Sequence, residues 1–258
     1  MNLFEIKNLK KYHTIKTGIL KKEVIKAVDD ISFELRKGEI LGIVGESGCG
    51  KSSTAKLLIG IDEPTSGHII YKDKDKAKFD KNDLKNFRKN VQMIFQDPYS
   101  SLNPRWNIGK IISEPLVLNT DLSKDEIKGE VLKIMKKVGL KEEWYHRYAH
   151  QFSGGQRQRI GIARSLILRP EVIICDEPVS ALDVSIQAQV LNLLLDLQDE
   201  FGLTYIFISH DLGVVEHITD RILVMNHGKI VESGDVDEIF SSPKNEFTKT
   251  LMKAIPKI

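Results

Sequence analysis

The residues best suited to chemistry lie in one glycine-rich stretch. They follow the pattern of a glycine, four residues, a glycine, a lysine and a serine, namely Gly45, Glu46, Ser47, Gly48, Cys49, Gly50, Lys51 and Ser52. Glycines allow backbone N–H groups to point inward at phosphate oxygens, the lysine adds a cation, and the serine hydroxyl can ligate Mg²⁺. The pattern therefore predicts a loop that cradles the phosphates of a nucleotide, in a site that includes Ser53.

The setting of this loop distinguishes it from a glycine-rich turn that matches by chance. Residues 40–44 form a continuous apolar run, typical of a buried strand, and residues 52–60 have the pattern of a helix. A phosphate loop needs this order of strand, loop and helix, because the helix N-terminus then adds a favourable dipole to the site.

The composition limits the kinds of protein that could carry such a loop. The chain has 258 residues, with 38 Lys and Arg and 36 Asp and Glu, so its net charge is 38 − 36 = +2. Proteins that bind nucleic acid usually have a larger excess of basic residues, and no nucleic-acid partner is therefore expected. The two cysteines, Cys49 and Cys175, have neither metal-ligand nor disulfide spacing. No signal peptide is visible, and no apolar run approaches the ~18–20 residues of a membrane helix, which predicts a cytoplasmic chain.

Apolar runs alternate with helical patterns along much of the chain. After the run at 40–44, further strands are predicted at 91–95, 172–175, 204–209 and 221–225. Residues 98–150 instead show mainly helical patterns. Such an arrangement predicts an α/β fold with a mostly parallel sheet, interrupted by a helical insert.

Two short stretches beyond the insert resemble motifs of the ATP-binding cassette family. Phe152–Gln156 (FSGGQ) is similar to the signature sequence of that family, and Val172–Glu177 (VIICDE) is similar to its Walker B strand. Tyr12 matches the aromatic residue of the family that stacks on adenine, and Gln96 matches its Q-loop. Ser180–Asp183 is similar to its D-loop, and His210 is similar to its switch histidine. The resemblance covers almost the whole chain. It implies a P-loop NTPase core, an antiparallel β subdomain and an inserted α-helical subdomain.

The resemblance also implies a role for each matched residue. Asp176 would hold Mg²⁺ through water, with Ser52 and Gln96 as further ligands. Glu177 would orient and polarise the attacking water, and His210 would stabilise charge on the phosphate. The implied catalytic residues are thus Glu177, His210 and Gln96, acting on ATP with Mg²⁺. For His210 the alternative is a helix cap or a core histidine.

The signature motif points to a second subunit. The resemblance implies that it contacts a nucleotide held by another cassette. The residues assigned to this part of the site are Ser153, Gly154, Gly155, Gln156 and Asp183. Because the chain has one P-loop and one signature, we predict that it is half of a dimeric motor. For Tyr12 the alternative is a tyrosine that ends an edge strand, since residues 13–24 lengthen the path to the P-loop.

Four stretches narrow the resemblance within the family. Residues 95–105, 177–187, 209–212 and 247–256 are similar to ATPase subunits of peptide importers, in particular the second ATPase subunit of oligopeptide or dipeptide importers. No cysteine follows Cys175, so the iron–sulfur cluster that some of these subunits hold in a C-terminal extension is not expected. The short tail leaves a nickel or metallophore importer open as an alternative.

This resemblance implies partners, location and layout. The partners are a second cassette, identical or not, two membrane permease subunits and, indirectly, an extracytoplasmic solute-binding protein, at the cytoplasmic face of the membrane. Tyr99, Leu102 and Trp106 are expected as exposed permease contacts beside the Q-loop; for Trp106, packing inside the helical insert is the alternative. The expected layout is a nucleotide-binding core at 1–97 and 158–240, a helical subdomain at 98–157 and a tail at 241–258.

Overall fold

The computed structural model describes residues 1–16, 22–97 and 99–253, which form two compact units. The first unit comprises the described residues of Met1–Lys81 and Thr204–Ile258, and the second comprises those of Asn82–Leu203. The predicted boundaries of the helical subdomain, at residues 98 and 157, differ from the boundaries of these two units, and they stay predictions.

The strands within the described ranges are β1 (Asn2–Lys16), β2 (Lys22–Arg36), β3 (Ile40–Val44), β4 (Ser66–Tyr71), β5 (Lys74–Asp75), β6 (Val91–Ile94), β7 (Val172–Asp176), β8 (Thr204–Ile208), β9 (Arg221–Asn226) and β10 (Lys229–Asp235). The α-helices are α1 (Lys51–Ile59), α2 (Lys81–Asn90), α3 (Ile108–Asn119), α4 (Lys124–Lys137), α5 (Gly154–Leu166), α6 (Val184–Phe201), α7 (Leu212–Ile218), α8 (Val236–Ser241) and α9 (Glu246–Lys253).

The first unit contains a mostly parallel arrangement of strands centred on β3. Strands β8 and β9 flank β3 in parallel, with Ile43 opposite both Ile208 and Leu223, and β10 pairs with β9 in the antiparallel sense. Every residue of β3 and β8 is buried. Strands covered on both faces need apolar residues at every position, which explains why these segments are continuous apolar runs in the sequence.

An antiparallel sheet with the order β2-β1-β4-β5 belongs to the same unit. Strands β1 and β2 form a long hairpin, and its buried apolar residues include Phe4, Ile6 and Leu35. The ring of Phe4 also packs against Tyr71 of β4, with 5.1 Å between ring centroids. This sheet corresponds to the predicted antiparallel β subdomain.

The second unit combines the parallel pair β6 and β7 with helices that include α3, α4 and α5. Helix α3 packs against α4 and α5, and the three helices contribute fully buried residues such as Ile108, Val131 and Ile160. Apolar side chains at helical spacing form this packed face. Among the described residues, no helix combines the length and the apolar character needed to cross a membrane.

Candidate active site

The phosphate loop spans residues 45–50, between β3 and α1. Gly45 and Gly50 have φ angles of 151° and 112°, which favour glycine. A Cβ atom on Gly45 would lie 2.2 Å from the carbonyl oxygen of Met225, and one on Gly50 would lie 2.2 Å from that of Ala27. These two glycines are therefore required by the close packing of the loop against neighbouring backbone, in addition to their predicted role towards phosphate.

Lys51 is the first residue of α1, and its side chain is buried. Its ammonium donates hydrogen bonds to the carbonyl oxygens of Gly45 at 2.7 Å and Glu46 at 2.9 Å, so it is held against the backbone of the loop. Gly50, at the N-cap of α1, provides no side-chain hydrogen bond. A helix N-terminus without a side-chain cap, next to a fixed cation, is suited to bind phosphate oxygens.

The other predicted loop residues differ in exposure. Glu46, Ser47 and Gly48 are exposed, Ser52 and Ser53 are half-buried, and Cys49 is buried. Burial raises the pKa of the Cys49 thiol, against the opposing charge of Lys51. The thiol is therefore protonated at neutral pH, and Cys49 acts as a small packing residue of the loop.

His210 follows the carboxyl end of β8, two residues after Ile208. The N–H of Ser209 donates to the carbonyl oxygen of Ile43 at 3.3 Å, which sets this segment beside the strand that precedes the phosphate loop. Asp211, not His210, caps α7, since its carboxylate accepts from two N–H groups of that helix. His210 is exposed. It is thus neither a helix cap nor a core histidine, the two alternatives for a lone histidine here.

The second unit brings the predicted base and the Q-loop glutamine into contact. Asp176 ends β7 and is 5% exposed, and Glu177 follows it with a φ of 47°, a left-handed conformation that is uncommon outside glycine and frequent at functional sites. The side-chain N–H of Gln96 donates to a carboxylate oxygen of Glu177 at 2.8 Å. Strands β6 and β7 run parallel, with Ile94 opposite Cys175, so both side chains leave the strands at the same edge.

The signature motif forms the N-terminus of α5. Ser153 is the N-cap: its hydroxyl accepts from the N–H of Gln156 at 3.3 Å, and its own N–H donates to the side chain of Gln156 at 3.1 Å. A Cβ atom on Gly155 would lie 2.5 Å from Ile186 of α6, so Gly155 is needed for the packing of the two helices. Asp183 precedes α6, is exposed, and makes no side-chain capping bond.

Tyr12 lies in the long hairpin of the first unit and is half-buried. Its phenol donates to the carboxylate of Asp29 on β2, and its N–H donates to the hydroxyl of Thr65 at 2.9 Å. The phenol lowers the pKa of Asp29, and the carboxylate in turn raises the pKa of Tyr12. We did not predict Asp29 from the sequence. An acidic residue within the stretch 27–35 (AVDDISFEL), which has the residue types of a strand, is the signal that could have identified it, because a buried carboxylate needs a partner.

Arg157, directly after the signature, is a second residue that the sequence did not single out. Its side chain is buried and donates to the carbonyl oxygens of Ala149 and His150 at 2.9 and 3.1 Å. Its guanidinium carbon lies 3.5 Å from the centroid of the Tyr99 ring. Stacking of this kind links the segment after the Q-loop to the start of α5.

The three residues expected to contact a permease differ in their exposure to solvent. Tyr99 is 65% exposed, as predicted, but Leu102 is only 2% exposed, so the prediction of an exposed Leu102 is wrong. An apolar leucine in this segment gains more from burial in the helical unit than from contact with water. Trp106 is half-buried, with the Lys110 ammonium 4.1 Å from its ring centroid.

The predicted site residues thus fall into two groups. The first unit holds the phosphate loop, His210 and Tyr12, and the second holds Gln96, Asp176, Glu177, the signature and Asp183.

A phosphate loop between a buried strand and a helix, in a chain with strand-end carboxylates, defines the class of P-loop nucleoside triphosphatases. A family model described as ABC transporter matches residues 28–180. The chain belongs to the ABC transporter family and is an ATPase of that family.

Curated relatives are similar in sequence to this chain over nearly its whole length. It is 54% identical to the dipeptide transport ATP-binding protein DppF of Haemophilus influenzae, over 97% of this chain and 77% of that protein. It is 50% identical to the oligopeptide transport ATP-binding protein AppF of Bacillus subtilis, over 98% of this chain and 78% of that protein. The resemblance stated from the motifs is confirmed.

Solved structures confirm the predicted fold class. The dimeric ATP-binding cassette MJ0796, in a post-hydrolysis state bound to ADP and phosphate, aligns with a TM-score of 0.79 and 28% identity over 90% of this chain and 98% of that chain. The CbiO1 protein of Clostridium perfringens, part of an ABC transporter complex, aligns with a TM-score of 0.79 over 93% and 91%.

Proposed function

We propose that the chain is the ATP-hydrolysing subunit of an importer that carries dipeptides or oligopeptides. One observation carries this proposal: identity of 50–54% extends over 97–98% of the chain to proteins named for dipeptide and oligopeptide transport. These names do not favour the nickel or metallophore alternative. The cytoplasmic face of the membrane, with two permease subunits and an extracytoplasmic binding protein, is the setting that follows from this function.

Lys51, Glu177 and His210 then have separate roles in the hydrolysis of ATP. Lys51 exchanges its two carbonyl partners for phosphate oxygens when ATP enters the loop, since an ammonium binds anionic oxygens more strongly than neutral ones. Glu177 orients a water and takes its proton as the water attacks the terminal phosphate. His210 donates to that phosphate as its charge redistributes, and ADP and phosphate are released.

The proposed Mg²⁺ ligands suit a hard cation, which prefers oxygen donors. They are the Ser52 hydroxyl and the side-chain oxygen of Gln96, while the Asp176 carboxylate would hold the ion through water. Because the amide N–H of Gln96 already faces Glu177, its oxygen is the atom that remains for the metal. When bound, Mg²⁺ would neutralise charge on the phosphates.

A second cassette would complete each site through the signature motif. Ser153 uses an oxygen lone pair to cap α5, so its hydroxyl proton remains available for a phosphate oxygen of the partner's nucleotide. Gly154 is next to it, and the exposed Asp183 directly precedes the neighbouring helix α6. The dimeric form of the structurally similar cassette MJ0796 supports this arrangement.

The capping boxes of α4 and α5 provide a matched test of that role. Ser153→Ala and Ser123→Ala each remove a serine N-cap that pairs with the third helical residue. Each substitution should cost about 1 kcal/mol in the free energy of unfolding. Only Ser153→Ala should also lower the ATPase rate of the assembled transporter, by about tenfold or more, because it removes a donor to a charged group. Equal ATPase rates in the two variants would count against the signature assignment.

Tyr99 provides a test of the contact with the permeases. Tyr99→Ala removes an exposed ring beside the Q-loop, and we expect peptide uptake to fall several-fold more than the ATPase rate of the cassettes. Tyr148→Ala, which removes another exposed ring of the same unit, should leave both rates close to wild type. A loss of uptake that merely matches the loss of ATPase activity would contradict a coupling role for Tyr99.

Uptake by the reconstituted transporter tests the proposed function as a whole. Proteoliposomes that contain the permeases, the cassettes and the binding protein should accumulate a labelled dipeptide when ATP is supplied on the cassette side. Liposomes with Glu177→Gln cassettes serve as the control. Accumulation of Ni²⁺ without any accumulation of peptide would overturn the proposal.

A further inference from the structure

The ring of Tyr12 is held at one edge and covered on one face by residues of β2. Its phenol donates to one carboxylate oxygen of Asp29. The other oxygen of Asp29 lies 3.4 Å from the Lys26 ammonium and 3.8 Å from the Lys229 ammonium. The Lys26 ammonium also lies 5.4 Å from the centroid of the Tyr12 ring. Asp29 therefore fixes both the hydroxyl edge of the ring and the cation above it.

Asp29 is in turn fixed to the phosphate loop through its backbone. Its N–H donates to the carbonyl oxygen of Gly228 at 2.8 Å, and the N–H of Gly228 donates to the carbonyl oxygen of Cys49 at 2.9 Å. The close approach of Ala27 to Gly50 brings the same part of β2 against the loop. Two hydrogen bonds thus connect the carboxylate that holds Tyr12 to the loop that is proposed to hold the phosphates.

Asp29 is only 9% exposed, and a carboxylate is rarely buried unless it is paired. Its partners lie on three strands: Tyr12 on β1, Lys26 on β2 and Lys229 on β10. Pairing lowers the pKa of Asp29 and raises that of Tyr12, so a carboxylate and a neutral phenol face each other at neutral pH. The phenol hydroxyl is engaged in this bond and the Lys26 ammonium lies over one face of the ring, so a stacked base would use the opposite face.

We infer that Asp29 is a positioning residue for nucleotide binding: it holds the ring of Tyr12 at a set distance from the phosphate loop, so that adenine stacks on the face opposite Lys26. This inference rests on the proposed function, in which Tyr12 contacts adenine. A ring held in place before binding loses less conformational freedom when the base arrives, which strengthens binding. We expect the gain in affinity to concern the base, because the Asp29 carboxylate contacts Tyr12, Lys26 and Lys229.

Two ligands separate a role towards adenine from a role towards the loop. ATP contains the base, whereas inorganic tripolyphosphate presents the phosphates alone. We would measure the Kd of both by calorimetry with the full chain and the variants Tyr12→Phe, Asp29→Ala and Tyr12→Ala. Asp30→Ala is the matched control, since Asp30 is an exposed neighbouring carboxylate whose ammonium partner is Lys10, at 3.4 Å.

Tyr12→Phe keeps the ring and removes the hydrogen bond to Asp29. We expect the Kd for ATP to rise about three- to tenfold, which corresponds to the cost of ordering one side chain on binding. Asp29→Ala should give a similar rise. A double variant that combines Tyr12→Phe with Asp29→Ala should bind ATP no more weakly than Asp29→Ala alone, because both changes remove the same hydrogen bond. The Kd for tripolyphosphate should stay at the wild-type value in each. Tyr12→Ala should weaken ATP binding the most.

The outcomes distinguish this inference from the function on which it rests. A rise in Kd with Tyr12→Ala but none with Tyr12→Phe or Asp29→Ala would overturn the positioning role and leave the contact with adenine intact. An equal rise for ATP and tripolyphosphate would also overturn it, because Asp29 would then act on the phosphate loop. No change with Tyr12→Ala would reject the adenine contact itself, and with it the role of Asp29. If Asp29→Ala fails to fold, Tyr12→Phe still decides the question, since it removes one oxygen atom.

Discussion

Glu177→Gln should lower phosphate release from the assembled transporter by about 100- to 10,000-fold, the usual contribution of a general base. Glutamine has the shape of glutamate but cannot take a proton from the attacking water. Its side-chain oxygen can still accept the hydrogen bond from Gln96, which measures 2.8 Å in the present structure. The loss would therefore report the base and not a broken contact with the Q-loop. We expect the variant to bind ATP and to accumulate as a stable dimer, which light scattering would detect.

Two control variants make this result specific. Glu216→Gln changes an exposed carboxylate on α7 and should leave phosphate release unchanged. Gln96→Ala removes the hydrogen bond to Glu177 and a proposed Mg²⁺ ligand but keeps the carboxylate that acts as the base, so its loss should be smaller than that of Glu177→Gln. Wild-type turnover in Glu177→Gln would falsify the assignment of the base. An equal loss in Gln96→Ala would instead assign the main catalytic role to the glutamine.

Lys51→Ala should weaken ATP binding by about 10- to 100-fold, because hydrogen bonds to a charged group contribute about 1.5–3 kcal/mol each. The ammonium is buried and already held at the loop by the carbonyl oxygens of Gly45 and Glu46. Little ordering of this side chain is then needed when phosphate arrives. Calorimetric titration with ATP measures the effect directly, and it needs no partner subunit.

Lys56→Ala is the control for this second prediction, since Lys56 is an exposed lysine in the last turn of the same helix. Its ATP affinity should equal that of the wild type. Thermal unfolding of both variants would show whether Lys51→Ala also disturbs the loop, whose two carbonyl oxygens lose a donor. Unchanged ATP affinity in a folded Lys51→Ala variant would contradict the phosphate-loop assignment.

The local motifs were predictable because each is encoded in consecutive residues. The phosphate loop follows a buried strand and precedes a helix, as residues 40–60 predict, and the glycines of the loop, Gly45, Gly48 and Gly50, all have positive φ. The signature likewise forms a helix N-terminus, with Ser153 as its cap. Glycine conformation, helix capping and apolar runs depend on near neighbours in the chain, and short patterns therefore capture them.

Burial of single apolar residues was less predictable. Tyr99 and Leu102 lie three residues apart in one predicted surface segment, yet one is 65% exposed and the other 2%. The difference depends on the tertiary surroundings. The Tyr99 ring stacks on the Arg157 guanidinium from outside, whereas the segment around Leu102 turns into the helical unit, where the carbonyl of Ser101 accepts a hydrogen bond from Arg164. No spacing rule in an irregular segment indicates which side chain turns inward.

The sequence alone thus predicted the chemistry: a phosphate loop, strand-end carboxylates, a signature and a histidine, each recognisable from adjacent residues. Only the tertiary structure showed which polar groups meet. Gln96 reaches Glu177, 81 positions further along the chain, because β6 and β7 pair in one register. Tyr12 reaches Asp29 because β1 and β2 fold into a hairpin. Such pairs depend on how distant strands align, and a shift of one residue would turn every side chain to the opposite face, so no local pattern encodes them.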